Sequence, residues 1–244
     1  GRSNYSLGRV QTPTLAMICR RYRENQSFVS KTYLQLQLTT EKDKVQFTAL
    51  HAGKFEDPQN AQQILSLAQG AKCAVVQDIQ CKEISQDPPL LHDLTSLQRE
   101  ANTRLGFSAD KTLHIVQSLY EKQLISYPRT GSRYISRDVF EQIPALIGSL
   151  ENHRRLGAHA VALEHETLND RCVDDTKLTD HHALIITENL PAALSADESA
   201  VYELIAGRML ESFCGKCIKT VTSVTLLCNE VPFLVKGIVV KVPG

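Results

Sequence analysis

The sequence predicts an α+β chain in which a mainly helical domain is inserted into a β-rich one. Three observations lead there. Apolar and polar residues alternate between Lys31 and His51, and β-type composition returns at Ala74 to Ile84 and at Lys216 to Val242. Residues 86–213 instead carry apolar side chains mainly at helical spacing. Pro88-Pro89 marks the first change of texture, so β-rich segments at 31–85 and 214–244 flank a helical 86–213.

Each element has its own signal. Leu15, Ala16, Ile18, Cys19 and Tyr22 recur at helical spacing, with Thr12 as cap and Pro13 in the first turn, predicting a helix over 12–22. Tyr33, Leu34, Leu36 and Leu38, then Val45 to His51, predict a hairpin turning at Glu41 to Lys44. Ala61, Ile64, Leu65 and Ala68 predict a helix from Pro58. Beyond the prolines, helices are expected over 92–104 and over 110–123, the second with Leu113, Val116, Leu119, Tyr120 and Leu124 on one face and Ser108 or Asp110 as cap. A single helix is expected from Ser136 to Leu150. Another is expected from Asp197 to Phe213, striped by Val201, Leu204, Ile205, Met209 and Phe213. The last β segment would complete the sheet begun at residue 31.

Composition narrows the classes. The 244 residues balance 27 Lys and Arg against 27 Asp and Glu, with 42% hydrophobic and 22% charged, which excludes disorder, collagen and coiled coil. No apolar run approaches the roughly 20 residues of a membrane helix, so no membrane role is expected. Seven scattered cysteines without a secretory segment point to a reducing, cytosolic setting. The missing initiator Met and the end at Pro243-Gly244 suggest a piece of something longer. Charge is sorted along the chain: residues 1–31 hold Arg2, Arg9, Arg20, Arg21, Arg23 and Lys31 against Glu24 alone. Residues 127–137 hold three arginines and no acid, and 164–180 hold six acids against two bases.

Four segments carry candidate chemistry. In LISYPRTGSRYIS, Pro128 favours an extended Tyr127, which lets Tyr127 and Arg129 reach one ligand from the same side, with the Thr130 and Ser132 hydroxyls nearby. That pattern suits a phosphodiester. A phenol with pKa near ~10 needs activation to attack phosphorus, about 4 kcal/mol to be half ionised at pH 7, and an arginine fork offers fixed charge for the developing oxyanion. In TDHHALI, His181 and His182 diverge too far to share a metal; a histidine beside a phosphate serves as charge donor or proton relay. Cys214-Gly-Lys-Cys217 has zinc-like spacing but only Cys228 follows, so buried free thiols are expected. Arg9 and Gln11, just before a helix start, suit a phosphate backbone.

Together, SLGRVQTPTLAMICRRY, DLTSLQREANTRLGFSADKTLHIVQSLYEKQLISYPRTGSRYIS, DHHALIITE and VYELIAGRMLESF resemble the type IA DNA topoisomerases, the topoisomerase III branch most nearly. The resemblance runs from Gly8 to Phe213. It implies that Tyr127 cleaves one DNA strand, leaving a 5′-phosphotyrosine and a free 3′-hydroxyl, before strand passage and religation. It further implies that Arg129 stabilises the attacked phosphate and His181 assists there. Arg9, Gln11, Thr130, Ser132, Arg133 and His182 would contact DNA. By the same resemblance, residues 1–30 belong to a helical DNA-binding domain, 31–85 with 214–244 to a β-rich arch, and 86–213 to a gate bearing the tyrosine. Mg²⁺ would sit in an acidic domain preceding this segment, so the chain alone should hold no metal, bind single strands weakly and fail to relax DNA. Expected partners are single-stranded and negatively supercoiled or catenated DNA, in a nucleoid-associated, cytoplasmic setting. Two departures stand out: Gly131 replaces the family's common Asp, and Ile186 its common Pro.

The competing classes fit less well. A relaxase requires a His-hydrophobic-His metal cluster, and a tyrosine recombinase has its tyrosine near the C-terminus. A non-catalytic single-strand-binding module needs a stacking platform, poorly supplied by a chain with no Trp. The last reading makes the chain an arch or hinge without chemistry.

Overall fold

The computed structural model describes residues 7–178 and 180–244. Arg2 and the start of the first basic segment, and Thr179 of TDHHALI, lie outside the described residues. Two compact units are present, residues 1–80 with 222–237, and 81–221 with 238–244.

In the first unit, α1 spans Gln11–Gln26, with Val10 rather than Thr12 at its cap. Thr12 sits inside the first turn, where its hydroxyl accepts from the Gly8 N–H at 3.2 Å. Pro13 fits because first-turn N–H groups have no intrahelical partner. Strands β1 (Gln37–Lys42) and β2 (Val45–His51) pair antiparallel, with Leu38 opposite Ala49. The strand begins later than the alternation suggested; Leu34 makes only an isolated bridge to Phe55. Asp43 and Lys44 both take positive φ (51° and 66°), the two-residue turn that matches strand twist. Helix α2 (Pro58–Gln69) opens on Asp57, whose carboxylate accepts from the Gln59 N–H at 2.9 Å, with Pro58 in the first turn.

Strands β3 (Val75–Gln86), β4 (Cys217–Cys228) and β5 (Val231–Val242) complete a five-stranded sheet ordered β1-β2-β5-β4-β3. The expected return of the C-terminal segment to the first sheet is observed: β5 runs antiparallel to β2, with Leu50 opposite Leu234. Ala49, Leu226, Cys228, Val231 and Phe233 form the small core of this unit.

The second unit is mainly helical. Helix α3 (Leu94–Leu105) starts on an Asp93/Ser96 capping box and ends on Gly106 at φ 70°, a left-handed position that glycine adopts without strain. Helix α4 (Ala109–Glu121) is capped by Ser108, one of the two expected caps. The single helix expected over 136–150 is two: α5 (Arg137–Phe140) and α6 (Ile143–Gly148). Pro144 has no N–H to return to residue 140, so the helix breaks and restarts with the proline in its first turn. Helix α7 (Gly157–Glu164) was not expected, and α8 (Ala196–Phe213) carries a Ser195/Glu198 capping box. The core joins Leu97, Val116 and Leu119 to Val201, Tyr202, Ile205, Met209 and Phe213, and includes Ala183 to Ile186.

Candidate active site

The site lies where the chain leaves α4 and runs beside residues 181–187. Leu124 to Ser126 follow the helix, and Ile125 pairs antiparallel with Ile186. The flanking bonds come from the Ser126 N–H to the Ile185 carbonyl (2.9 Å) and the Thr187 N–H to the Leu124 carbonyl (3.1 Å). Those bonds use neither the N–H nor the carbonyl of Ile186, so isoleucine or proline there preserves the bridge. Ile186 contributes a fully buried side chain instead.

This pairing sets Tyr127 against His181. Their ring centroids are 4.3 Å apart at 42°, and Tyr120 meets the Tyr127 ring edge-on at 5.4 Å. Tyr127 is half-buried, while Arg129 and His181 are exposed beside it in sequence and in space respectively. Of the residues singled out in the sequence, then, Tyr127 and His181 touch directly.

The neighbouring polar residues have a different employment from the one expected. Thr130 and Ser132 are buried: the Thr130 hydroxyl donates to the His181 carbonyl (3.0 Å), and the Ser132 hydroxyl donates to the Lys177 carbonyl (3.1 Å). Arg133 donates through Nε to the Leu91 carbonyl (3.0 Å) and through a terminal nitrogen to the Leu90 carbonyl (3.3 Å). These three groups build the loop. His182 is half-buried, with its Nδ1–H donating to the Ala183 carbonyl at 2.7 Å. Nearby, the Asp138 carboxyl is held below the usual range chiefly by the Ser136 hydroxyl. Arg9 and Gln11 belong to the first unit, at the entry to α1.

Gly131 is exposed, and a Cβ built there meets nothing within 4 Å. Its φ is not in the left-handed region. Gly131→Asp is therefore expected to fold with unchanged or raised stability, a gain of about 0.5 kcal/mol from restricting the unfolded chain. Urea unfolding of the two proteins checks this, and a loss of more than ~1 kcal/mol would contradict the open geometry.

Behind the loop lies His92, 1% exposed, whose carbonyl accepts from the Leu184 N–H at 2.8 Å. Burial, with the charges of Arg208 and Arg133, pushes its imidazole down to about 3. Glu100 Oε2 lies 3.2 Å from Nε2, but makes no aligned hydrogen bond to it. That carboxylate group is already paired with Arg104 (3.0 Å) and Arg208 (2.5 Å), so it does not draw a proton onto the ring. The unfolded chain binds this proton below about pH 6.5 while the folded chain does not, so stability falls as pH drops through that window. The expected loss is about 2 kcal/mol between pH 6.5 and 5. Denaturant titrations at the two pH values should show a flatter dependence for His92→Phe.

Cys214 and Cys217 are half-buried rather than buried; the Cys214 thiol donates to the Leu210 carbonyl at 3.3 Å. Burial pushes the Cys172 thiol up to about 11, which keeps it protonated and unreactive. Among the described residues no three His, Cys, Asp or Glu side chains come together to hold a metal ion, and no helix is long and apolar enough to cross a membrane.

Sequence reasoning missed Ser126, Tyr120 and His92. Ser126 adjoins the tyrosine and carried no pattern of its own. Tyr120 reads in sequence as part of the apolar stripe of α4, seven residues before Tyr127.

The profile of the DNA topoisomerase family matches residues 1–244, and the chain belongs to that family, in its type IA class. Within the family it is similar to proteins named DNA topoisomerase 3: that of Shouchella clausii is 37% identical over 95% of this chain and 33% of its own length. That of Bacillus cereus is 38% identical over 83% of this chain and 28% of its own. A solved structure of full-length topoisomerase I from Thermotoga maritima superimposes with TM-score 0.67 and 28% identity, covering 98% of this chain and 39% of that one. The chain thus spans about a third of the length of the curated relatives it matches.

Proposed function

We propose that this chain is the part of a type IA topoisomerase that carries the strand-cleaving tyrosine, Tyr127. The observation that carries the reading is the Tyr127 ring held 4.3 Å from that of His181, on a loop whose next basic side chain, Arg129, is exposed. In the proposed step the Tyr127 oxygen bonds to phosphorus and the P–O3′ bond breaks. One proton leaves the phenol and one reaches the departing 3′-oxygen, so the step is proton-neutral and religation reverses it. Arg129 supplies fixed charge to the phosphoryl oxygens and His181 supplies charge or relays a proton.

Arg9 and Gln11 are proposed to bind the backbone of single-stranded DNA, and His182 to contact DNA beside His181. Thr130, Ser132 and Arg133 serve that binding by shaping the loop. We assign residues 1–30 to a DNA-binding domain, 31–85 with 214–244 to an arch and 86–213 to a gate. The described residues do not fit a Mg²⁺ centre, and we place Mg²⁺ on residues of the parent enzyme outside this chain. The substrates of that enzyme are then negatively supercoiled or catenated DNA in the cytoplasm.

The chain alone is accordingly expected to bind single-stranded DNA weakly, with affinity falling as salt rises, and to leave supercoiled plasmid unrelaxed with or without Mg²⁺. Fluorescence anisotropy on a labelled oligonucleotide and a gel relaxation assay test both halves. Relaxation by the chain alone would overturn the division of labour proposed here.

A further inference from the structure

We propose that Ser126 is a positioning residue for strand cleavage: its hydroxyl pins the backbone that presents Tyr127 to the segment that presents His181. This inference rests on the reading of Tyr127 as nucleophile.

The Ser126 hydroxyl donates to the Ala183 carbonyl at 3.1 Å and accepts from the Ile185 N–H at 3.1 Å. Its own N–H donates to the Ile185 carbonyl at 2.9 Å. A serine hydroxyl has one proton and two acceptor sites, so committing its proton and a lone pair to groups two residues apart on one segment fixes its rotor. On the other side of Tyr127, the Thr130 hydroxyl donates to the His181 carbonyl (3.0 Å) and accepts from the Ser132 N–H (3.1 Å). Tyr127 therefore sits between two hydroxyl pins on the segment 181–185.

Removing the Ser126 hydroxyl leaves the Ile125–Ile186 bridge in place, because that bridge is made by backbone N–H groups. The fold persists while the tyrosine loses one of its two pins. Misplacing a reacting group by about 1 Å costs on the order of a hundredfold in rate, which makes this a sensitive position. Ser126 acts through Tyr127 and binds no DNA itself.

The test uses the chain restored to the length of its curated relatives, with 3′-end-labelled single-stranded oligonucleotide and Mg²⁺ under single-turnover conditions. Wild type, Ser126→Ala, Ser126→Thr and Tyr127→Phe are compared for adduct rate, oligonucleotide affinity and unfolding midpoint. Ser126→Ala is expected to form adduct about ten- to a hundredfold more slowly at unchanged affinity, and Ser126→Thr, which keeps the hydroxyl, to recover the rate. A wild-type rate in Ser126→Ala overturns the inference alone, as does a loss matched by weaker binding or one that threonine fails to recover. Adduct in Tyr127→Phe, or none in wild type, overturns the nucleophile reading and this inference with it.

Discussion

Tyr127→Phe is expected to abolish the covalent protein–DNA adduct completely while changing single-strand affinity by less than about twofold. The substitution removes one oxygen, the atom proposed to bond to phosphorus. It retains the ring that packs against Tyr120 and His181. Since the side chain is only half-buried, its contribution to folding is carried mainly by those ring contacts, and the unfolding midpoint should hold. Affinity is expected to persist because backbone binding draws on basic side chains rather than on the phenol. This combination separates an enzyme from a single-strand-binding module, in which Tyr127 would stack on a base and its hydroxyl would be dispensable to everything measured. Adduct yield after denaturation, compared between the two proteins restored to the relatives' length, decides the matter. Equal yields would sink the account.

Gly157→Ala is expected to be the most damaging small substitution in the helical unit. A Cβ at this position would lie 2.2 Å from the Glu151 carbonyl oxygen and 3.0 Å from its carbon. Both are backbone atoms, so no side-chain rotation relieves the clash. The segment before α7 is also held by the Gly157 N–H, which donates to the His153 carbonyl at 2.8 Å. Relief requires moving either that loop or the start of α7, whose Ala160 and Leu163 are buried in the core. The expected cost is about 3 kcal/mol, at the upper end for overpacking, and for a chain of this size that lowers the melting midpoint by about 6–12 °C. A drop below about 2 °C would show that the loop yields freely. Gly131→Ala is the paired control, since the same added Cβ there meets open space.

The contrast between these glycines shows what the sequence conveys and what it conceals. Neither glycine has a distinguishing neighbour in sequence; only the folded path of residues 150–157 makes one indispensable. Helix α8 was legible because Val201, Ile205, Met209 and Phe213 keep one stripe through an eighteen-residue helix, and all four are buried. Helix α7 was not, because eight residues with Gly157 at the start and Ala158, Ala160 and Ala162 along its length show no distinct apolar face. The α5–α6 break was in plain view as Pro144 but was overridden by the apolar spacing around it. In β3 the composition foretold a strand but not its exposure: Val75, Val76, Ile79 and Ile84 all face solvent.

The site divides in the same way. Tyr127, Arg129 and His181, the residues proposed for the chemistry, stand out in sequence because that combination is rare and their motifs are local. The meeting of Tyr127 with His181 was not, since it depends on pairing Ile125 with Ile186 across a long stretch of chain. Thr130, Ser132 and Arg133 carried donors that the sequence offered to a ligand, and the fold gives them to backbone carbonyls. A hydroxyl in a sequence does not declare which acceptor it will meet.

The most direct measurement of the central claim maps the adduct itself. The chain restored to the relatives' length is incubated with an oligonucleotide labelled at either end, denatured, and digested for mass spectrometry. The account predicts that the 3′-end label stays with protein and the 5′-end label leaves on a fragment ending in a free 3′-hydroxyl. The modified peptide should carry its nucleotide on Tyr127. Retention of the 5′-end label, or a nucleotide on any other residue, would contradict it.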